Sequence, residues 1–378
     1  VILFSPESRS DEPRYRLIQA IETQSADPPP INDSNQAAYF DYSQSNGLSV
    51  HRLNAGSTSI DIATFDPNRS NLLAGPGINS AGEVSFVQSY FTETNTANIY
   101  VGDGSSLNIV GLGDYSVSPI SITEISNQSI SDDGTVVWKS GQSFYFSNGD
   151  GNVTELSPPS GYTAFRIGIS GSGQIAFSTL DALGNGQLFL RELDGSITLL
   201  ASNTNHLAIE FSLNSNGQIL FANNGSMYLT DGGQDPILVE SIASSPNFAS
   251  LAINNNGDYA FTRINGAENA LYAHISEFGD TREILSKGDD FLGGKINSIY
   301  LGTGGFNSND LIAFSYGLKG GKSGIAVIKV VPESSSIVFI GVVAAIFIAY
   351  LTLSRRSFRT GRINRPIELG TSGSSELH

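Results

Sequence analysis

A nine-residue motif recurs seven times along the chain, and this repetition constrains the fold more than any other feature. It reads apolar, Asn or Ser, two small or polar residues, Gly, any residue, apolar, any residue, aromatic. The copies begin at Ile31 (INDSNQAAY), Ile78 (INSAGEVSF), Ile130 (ISDDGTVVW), Ile169 (ISGSGQIAF), Leu213 (LNSNGQILF), Ile253 (INNNGDYAF) and Phe306 (FNSNDLIAF). Gly82, Gly134, Gly173, Gly217 and Gly257 hold the fifth position, with Asn35 and Asp310 there in the two end copies. Successive copies of that position are 47, 52, 39, 44, 40 and 53 residues apart.

Each copy reads as strand, tight turn, strand. Gly, Asn and Asp accept the positive φ that a hairpin turn demands. After the turn the residues alternate, so Val84/Phe86, Val136/Trp138, Ile175/Phe177, Ile219/Phe221, Tyr259/Phe261 and Ile312/Phe314 each share one sheet face. A strand such as Phe165–Ile169 precedes the motif. A second hairpin follows most copies, as in NIYVGDGSSLNIV from Asn98, QLFLRELDGSITLL from Gln187 and SMYLTDGGQDPILV from Ser226. Four strands in roughly 45 residues is the period of a propeller blade.

The sequence therefore predicts an all-β, seven-bladed β-propeller over residues 14–330. The departures of the end copies leave six or eight blades open. The last copy has one recognisable strand after its motif, Ile325–Val330, and Tyr15–Ile21 could complete that blade and close the ring. A β-solenoid or a pair of β-sandwiches is the alternative, although irregular spacing argues against coils of near-constant length. The repeats resemble the INxxGxVxF units of bacterial extracellular repeat proteins. The nearest stretch to that pattern is Lys287–Val327. The resemblance implies a propeller and carries no activity with it.

The C-terminal region has a different character. Ile337–Leu353 holds 17 residues without a charge, near the lower limit for a spanning helix. An extra turn from Ser334–Ser336 brings it to about 30 Å. Arg355, Arg356 and Arg359 follow directly, which predicts a cytoplasmic C-terminus and an external body. Val331-Pro332-Glu333, small polar residues, an apolar helix and an Arg cluster together resemble the PEP-CTERM sorting signal. Ser334 stands where that signal usually carries a second Pro. The resemblance implies recognition by an exosortase-type enzyme in a Gram-negative inner membrane, with Val331, Pro332 and Glu333 as the sorting motif. A plain C-terminal anchor is the alternative, and whether the tail is cleaved stays open. The chain thus divides into an N-terminal segment 1–13 whose opening Val1–Phe4 fits the end of a signal peptide, the repeat body 14–330, the sorting signal 331–359 with its helix at 337–353, and a cytoplasmic tail 360–378.

Composition narrows the partners. The chain carries a net charge of −16, and the last 24 residues contain five Arg and two Glu, so the remainder carries −19. Such a body repels phosphate backbones, which excludes nucleic acid. Exopolysaccharide or other surface glycans suit it, and calcium is a second candidate. There is no Cys, hence no thiol nucleophile or Cys-based metal site.

No catalytic constellation or metal site emerges from the sequence. His51, His206 and His274 fall in different repeats without ligand spacing. The GISGSG around Ser170 is a repeat turn, not a nucleophile elbow. Asn148–Asn152 alternates oxygen ligands as a calcium loop does, but Val153 stands where that loop needs Gly. Asp132, Asp133, Asp231, Asp289 and Asp290 sit at turns, where Asp bonds its own backbone. KGGKSG near Lys319 lacks the phosphate-loop spacing. The expectation is an exported, membrane-anchored, non-enzymatic propeller for adhesion, matrix assembly or ligand binding. The alternative is a propeller hydrolase or lyase that acts on polysaccharide at the central channel.

Overall fold

The computed structural model describes residues 14–332, apart from 25–26, 43–46, 67–69, 91–95, 115–128, 150–151, 205–208, 234, 242–246 and 266–267. The segment 1–13, Glu333, the 337–353 run, Arg355, Arg356, Arg359 and the tail 360–378 lie outside the described residues, as do Asp150 and His206. Among the described residues there is no helix long and apolar enough to cross a membrane.

Residues Arg14–Val331 form one compact unit. It consists of seven antiparallel sheets in chain order, one per motif copy, and is a seven-bladed β-propeller. Blades 2, 4, 5 and 6 are four-stranded meanders. Blade 4 is representative, with strands Tyr162–Ile169, Ile175–Asp181, Gly186–Arg191 and Ile197–Ser202. In blades 1 and 3 the innermost strand shrinks to a single bridge, Ile31 to Ala37 and Ile130 to Val136. Blade 7 takes four strands from the C-terminal end of the unit, one of them the short Asp290–Phe291, and its outermost strand from Tyr15–Glu22, which runs antiparallel to Ser323–Val330. Lys322 Nζ reaches Glu22 Oε2 at 3.0 Å at one end of this seam. At the other end, Val331 N–H donates to Arg14 O at 3.2 Å.

The seven turns of the motif all adopt positive φ: 82° at Gly82, 84° at Gly134, 96° at Gly173, 81° at Gly217, 82° at Gly257, 62° at Asn35 and 61° at Asp310. At Gly217 a side chain would also strike the Gln174 carboxamide, whereas at Gly134 the space is open.

The alternating apolar pairs after each turn face the preceding blade. Val84 and Phe86 pack with Phe40 and Val50 of blade 1, Val136 and Trp138 with Ile99 and Val101 of blade 2, and Ile175 and Phe177 with Val137 and Phe144 of blade 3. Ile219 and Phe221 join Leu188 and Leu190 of blade 4, and Phe261 joins Leu220 and Met227 of blade 5. The core is therefore a series of wedges between neighbours. Trp138, fully buried, lies with its indole ring against Gly111 of blade 2, where a Cβ would come within 2.6 Å.

The residue just before the motif sits at the narrow inner end of the wedge; Gly77, Ser212 and Ala252 face the next blade there, while Ser129 Oγ bonds back to Ser85 of blade 2. That residue is Pro30, Gly77, Ser129, Gly168, Ser212, Ala252 and Gly305 in the seven copies. Side-chain bulk is excluded there: a Cβ on Gly77 would collide with Ser129 Oγ.

Candidate functional site

The Asn at the second position of the motif has two jobs in the structure. Its Oδ1 accepts the backbone N–H four residues on: Gln36 to Asn32 at 2.9 Å, Glu83 to Asn79 at 2.9 Å, Gln218 to Asn214 at 2.9 Å, Asp258 to Asn254 at 3.0 Å and Leu311 to Asn307 at 3.1 Å. Its Nδ2 then donates to the carbonyl of the equivalent residue in the next blade. These bonds run from Asn32 to Asn79 (2.8 Å), Asn79 to Ser131 (3.2 Å), Asn214 to Asn254 (2.8 Å), Asn254 to Asn307 (3.2 Å) and Asn307 to Asn32 (2.8 Å). The last of them ties blade 7 to blade 1. The turns thus form a girdle around the propeller axis.

The girdle is interrupted in blades 3 and 4, where Ser131 and Ser170 replace Asn. Ser170 Oγ still accepts the Gln174 N–H at 3.0 Å, but a hydroxyl is too short to reach the next blade. A second ring lies just outside the first, made by the third motif residue. Ser80 N–H donates to Asp132 Oδ1 at 3.0 Å, Ser215 N–H to Asn255 Oδ1 at 2.7 Å, Asn255 N–H to Ser308 Oγ at 3.2 Å and Ser308 N–H to Asp33 Oδ1 at 2.8 Å. Only blade 4 has Gly at this position. The Asp132 N–H, lacking a side-chain acceptor there, donates to Gly171 O at 3.0 Å.

Within these rings lies a cavity of about 270 Å³ on the propeller axis. The first motif residue of all seven copies contributes to its lining, together with the Asn, Ser and Asp residues of the two rings. The result is an apolar wall under a polar rim. Asp33 and Asp132 supply two carboxylates to this rim, and no Lys, Arg or His lines it. Asp33 is held by two donors, Ser308 N–H and Asn255 Nδ2 at 2.7 Å. Asp132 is engaged through Oδ1 alone among the described residues.

The long inner strand of blade 7, Gly294–Phe306, bulges between Leu301 and Phe306, and Gly304 and Phe306 from this stretch line the cavity. Gly304 O accepts the Ile31 N–H at 2.7 Å, and Thr303 O accepts Ser212 Oγ–H at 2.6 Å. The inner strands also carry a charge pair. Arg166 of blade 4 meets Glu210 of blade 5 at 2.6 Å, both part-buried. Burial raises the Glu210 pKa, and Arg166 opposes that rise. Burial likewise raises the pKa of Asp27, just ahead of the blade 1 inner strand, although the Tyr42 hydroxyl donates to it at 3.3 Å.

Residues singled out in the sequence take varied places. The seven turn residues surround the cavity as its scaffold. His51 and His274 do not line the cavity; they lie on the third strands of blades 1 and 6. His51 is stacked on the motif aromatic Tyr39 at 5.0 Å, and His274 on Tyr259, the seventh motif residue, at 4.8 Å. Asp133, Asp231 and Asp289 accept backbone N–H groups of Thr135, Gly233 and Ser286, as turn residues do. Val331 and Pro332 are described, and the rest of the sorting motif is not. No group of three or more metal-ligating side chains occurs among the described residues. Arg166 and Glu210 escaped notice because neither belongs to the motif; their only sequence signal is a charge on a strand that is otherwise apolar or small.

The fold and its axial cavity define a seven-bladed propeller of the kind that gathers a site from dispersed loops. Among solved structures it is similar to a streptogramin B lyase, with a TM-score of 0.54 and 14% identity over 83% of this chain and 98% of that one. It is also similar to virginiamycin B lyase from Staphylococcus aureus, with a TM-score of 0.55 and 13% identity over 84% of this chain and 100% of that one. Raptor from Chaetomium thermophilum matches with a TM-score of 0.51 and 14% identity over 85% of this chain and 30% of that one. No protein-family model and no curated protein matches the sequence.

These comparisons correct the expectation of a non-enzymatic body. Two of the proteins that share this fold along their whole length are lyases, so the fold is one that supports catalysis. The expectation rested on the absence of a local motif, and a propeller site has no local motif to lose. Its residues come one or two per blade, about 45 residues apart.

Proposed function

We propose that the protein is an exported, envelope-held propeller enzyme of the hydrolase or lyase class that acts on polysaccharide at its central channel. The observation that carries this reading is the axial cavity with an apolar wall, a rim of hydroxyl and carboxamide groups, and two carboxylates from blades 1 and 3. Such a lining matches a sugar, which offers hydroxyls at its edge and C–H groups on its faces. Asp132, with Oδ2 unengaged among the described residues, serves as the base that takes a proton from water or from the substrate carbon. Asp33 is the second carboxylate that glycoside hydrolysis calls for. Residues 331–359 complete the reading as an exosortase-type sorting signal and anchor, which rests on Val331-Pro332-Glu333, the uncharged run 337–353 and the Arg residues after it.

The test incubates the purified protein with neutral and acidic polysaccharides. Hydrolysis releases reducing ends alone, whereas elimination also produces an ultraviolet-absorbing double bond. Asp132→Asn keeps the acceptor for Ser80 N–H and should lose about 10²-fold or more in rate. The reading fails if no polysaccharide is cleaved, or if Asp132→Asn and Asp33→Asn both cleave at the parent rate. Truncation after Val331 should release the protein from membranes; retention would refute the anchor.

A further inference from the structure

We infer that the face of the propeller that carries the cavity rests on a lipid bilayer, with apolar side chains at the ends of the outermost strands as its contact. This rests on the reading of 331–359 as an anchor and adds which face the anchor holds to the membrane.

Three observations converge on that face. First, the described chain leaves the body there. Val330 N–H donates to Asp310 O at 3.0 Å, and Asp310 is the turn residue of the blade 7 motif. Val331 therefore lies at the end of the blades that carries the motif turns and the cavity rim. From Val331 to Ile337, where the uncharged run begins, the chain spans at most about 20 Å. A bilayer that takes up the run lies close to this face.

Second, the hairpin between the third and fourth strands of an antiparallel blade turns at this same end, and the registers fix the level of each residue. Leu107, Val153 and Ile197 open the outermost strands of blades 2, 3 and 4. Across two strand pairings they stand level with Val84, Val136 and Ile175, each the second residue after a motif turn. Ile237 opens the outermost strand of blade 5, level with Leu220, and Leu17 of blade 7 is level with Ile312. All five are exposed. Blades 1 and 6 carry Ser59 and Thr281 at this level. Single exposed apolar residues are ordinary on a protein surface, but five at one level make a band.

Third, the outermost strands of blades 2 to 5, Leu107–Asp114, Val153–Leu156, Ile197–Ser202 and Ile237–Ser241, hold no Lys, Arg or Pro. Those residues are the usual guards of an exposed edge. A strand partner would use the length of such an edge, whereas this band uses its end, which is what a flat surface meets. The adjoining hairpin turns carry Asp103, Asp194 and Asp231. The surface that fits has neutral headgroups, since an anionic leaflet would repel these turns. None of the five apolar residues lines the cavity, so the contact leaves it unfilled, and the polysaccharide that enters it is one held at the membrane.

The chain has no Cys, so Leu193→Cys, Ile237→Cys and Leu183→Cys each create a single labelling site. Leu193, 67% exposed, sits in the Glu192–Ser196 turn on the cavity face. Leu183, 70% exposed, sits in the Asp181–Asn185 turn at the opposite end of the same blade and is the control. The full chain, labelled with an environment-sensitive fluorophore, is reconstituted into phosphatidylcholine vesicles with and without nitroxide-bearing phosphatidylcholine. Labels at positions 193 and 237 should lose about half of their emission or more to the nitroxide lipid, because interfacial apolar groups seat about 5–10 Å into the headgroup boundary. The label at position 183 should be unaffected. Equal quenching at 183 and 193 overturns the inference. So does a label at 193 that the lipid leaves alone: shielding from aqueous iodide would then put a second copy of the chain on the band, and access to iodide would leave the band bare. A chain that does not float with the vesicles removes the anchor reading and this inference together. A chain that floats with its labels unquenched removes this inference alone.

Discussion

Replacing Asn307 with Ala should open the ring where the last blade meets the first. The side chain is buried; its Nδ2 makes two bonds to blade 1, the second to Asn35 Oδ1 at 2.9 Å, and its Oδ1 accepts two N–H groups of its own turn, the second from Asn309 at 3.1 Å. Nδ2 donates to Asn32 O at 2.8 Å, and Oδ1 accepts the Leu311 N–H at 3.1 Å. A buried polar group left unsatisfied costs about 1–3 kcal/mol. Asn32 O keeps the Asn35 N–H at 3.0 Å, so its loss falls near 1 kcal/mol. The Leu311 amide is buried and closer to the full penalty. The two effects together give about 2–4 kcal/mol. Asn307→Ser separates them, because Ser170 shows that a hydroxyl at this position accepts the N–H four residues on. The Ser variant should lose only the two inter-blade bonds, about 1–2 kcal/mol. Equilibrium urea unfolding, followed by the fluorescence of the one Trp, measures both. If Ala and Ser variants are equally destabilised, or if Ala costs under about 0.5 kcal/mol, the girdle contributes nothing as a bridge between blades and the reasoning fails.

Three further outcomes follow from the same geometry. Gly134→Ala should cost about 1–2 kcal/mol from left-handed strain alone, and Gly217→Ala should cost more because its methyl also meets Gln174; equal losses in thermal unfolding would contradict the contact. Gly111→Ala should overpack against Trp138 and cost about 1–3 kcal/mol, with a change in the Trp emission of the folded state; an unchanged spectrum and midpoint would refute that packing. Arg166→Met should leave Glu210 part-buried and unpaired, destabilising the protein at pH 7 by about 1–3 kcal/mol after allowance for partial exposure. The sign of its pH dependence is fixed by the raised pKa of Glu210. A carboxyl raised in the folded state is penalised above its folded pKa and not below its unfolded value near 4.3. The deficit of Arg166→Met should therefore shrink as pH falls toward 4.3, and a deficit that grew instead would refute the assignment.

The repeat made the architecture legible to an unusual depth. Gly or its substitutes at the fifth motif position marked the turns, and the alternation after it marked which residues face a neighbouring blade. Even Tyr15–Ile21 could be paired with Ile325–Val330 before any coordinates. What stayed hidden is what the repeat builds collectively. Asn at the second position reads as a turn former, and nothing in one copy says that its Nδ2 reaches a carbonyl 40 to 53 residues away. The cavity could not be read for the same reason, since its lining is assembled two to four residues at a time from every blade. Gly171 was legible only as another small residue in a turn, because the demand for glycine comes from the Asp132 and Ser215 side chains, which crowd the place a Cβ would take. Arg166 and Glu210 lie 44 residues apart, on strands with no shared pattern, and only adjacency of blades brings them together.

The seam between Tyr15–Glu22 and Ser323–Val330 sets a clock on the birth of the molecule. Its partners are 300 residues apart, as the Glu22 to Lys322 contact records. A ribosome adding about 5–20 residues per second needs roughly 15–60 s to supply the second after the first. Throughout that interval the earliest strand has no edge to join, and the later strand must arrive to find it unspent. Each blade can condense on its predecessor as it emerges, but the circle is sealed by the oldest and nearly the youngest parts of the body meeting last. A chain built this way is committed to remaining an open arc until its last blade has been made.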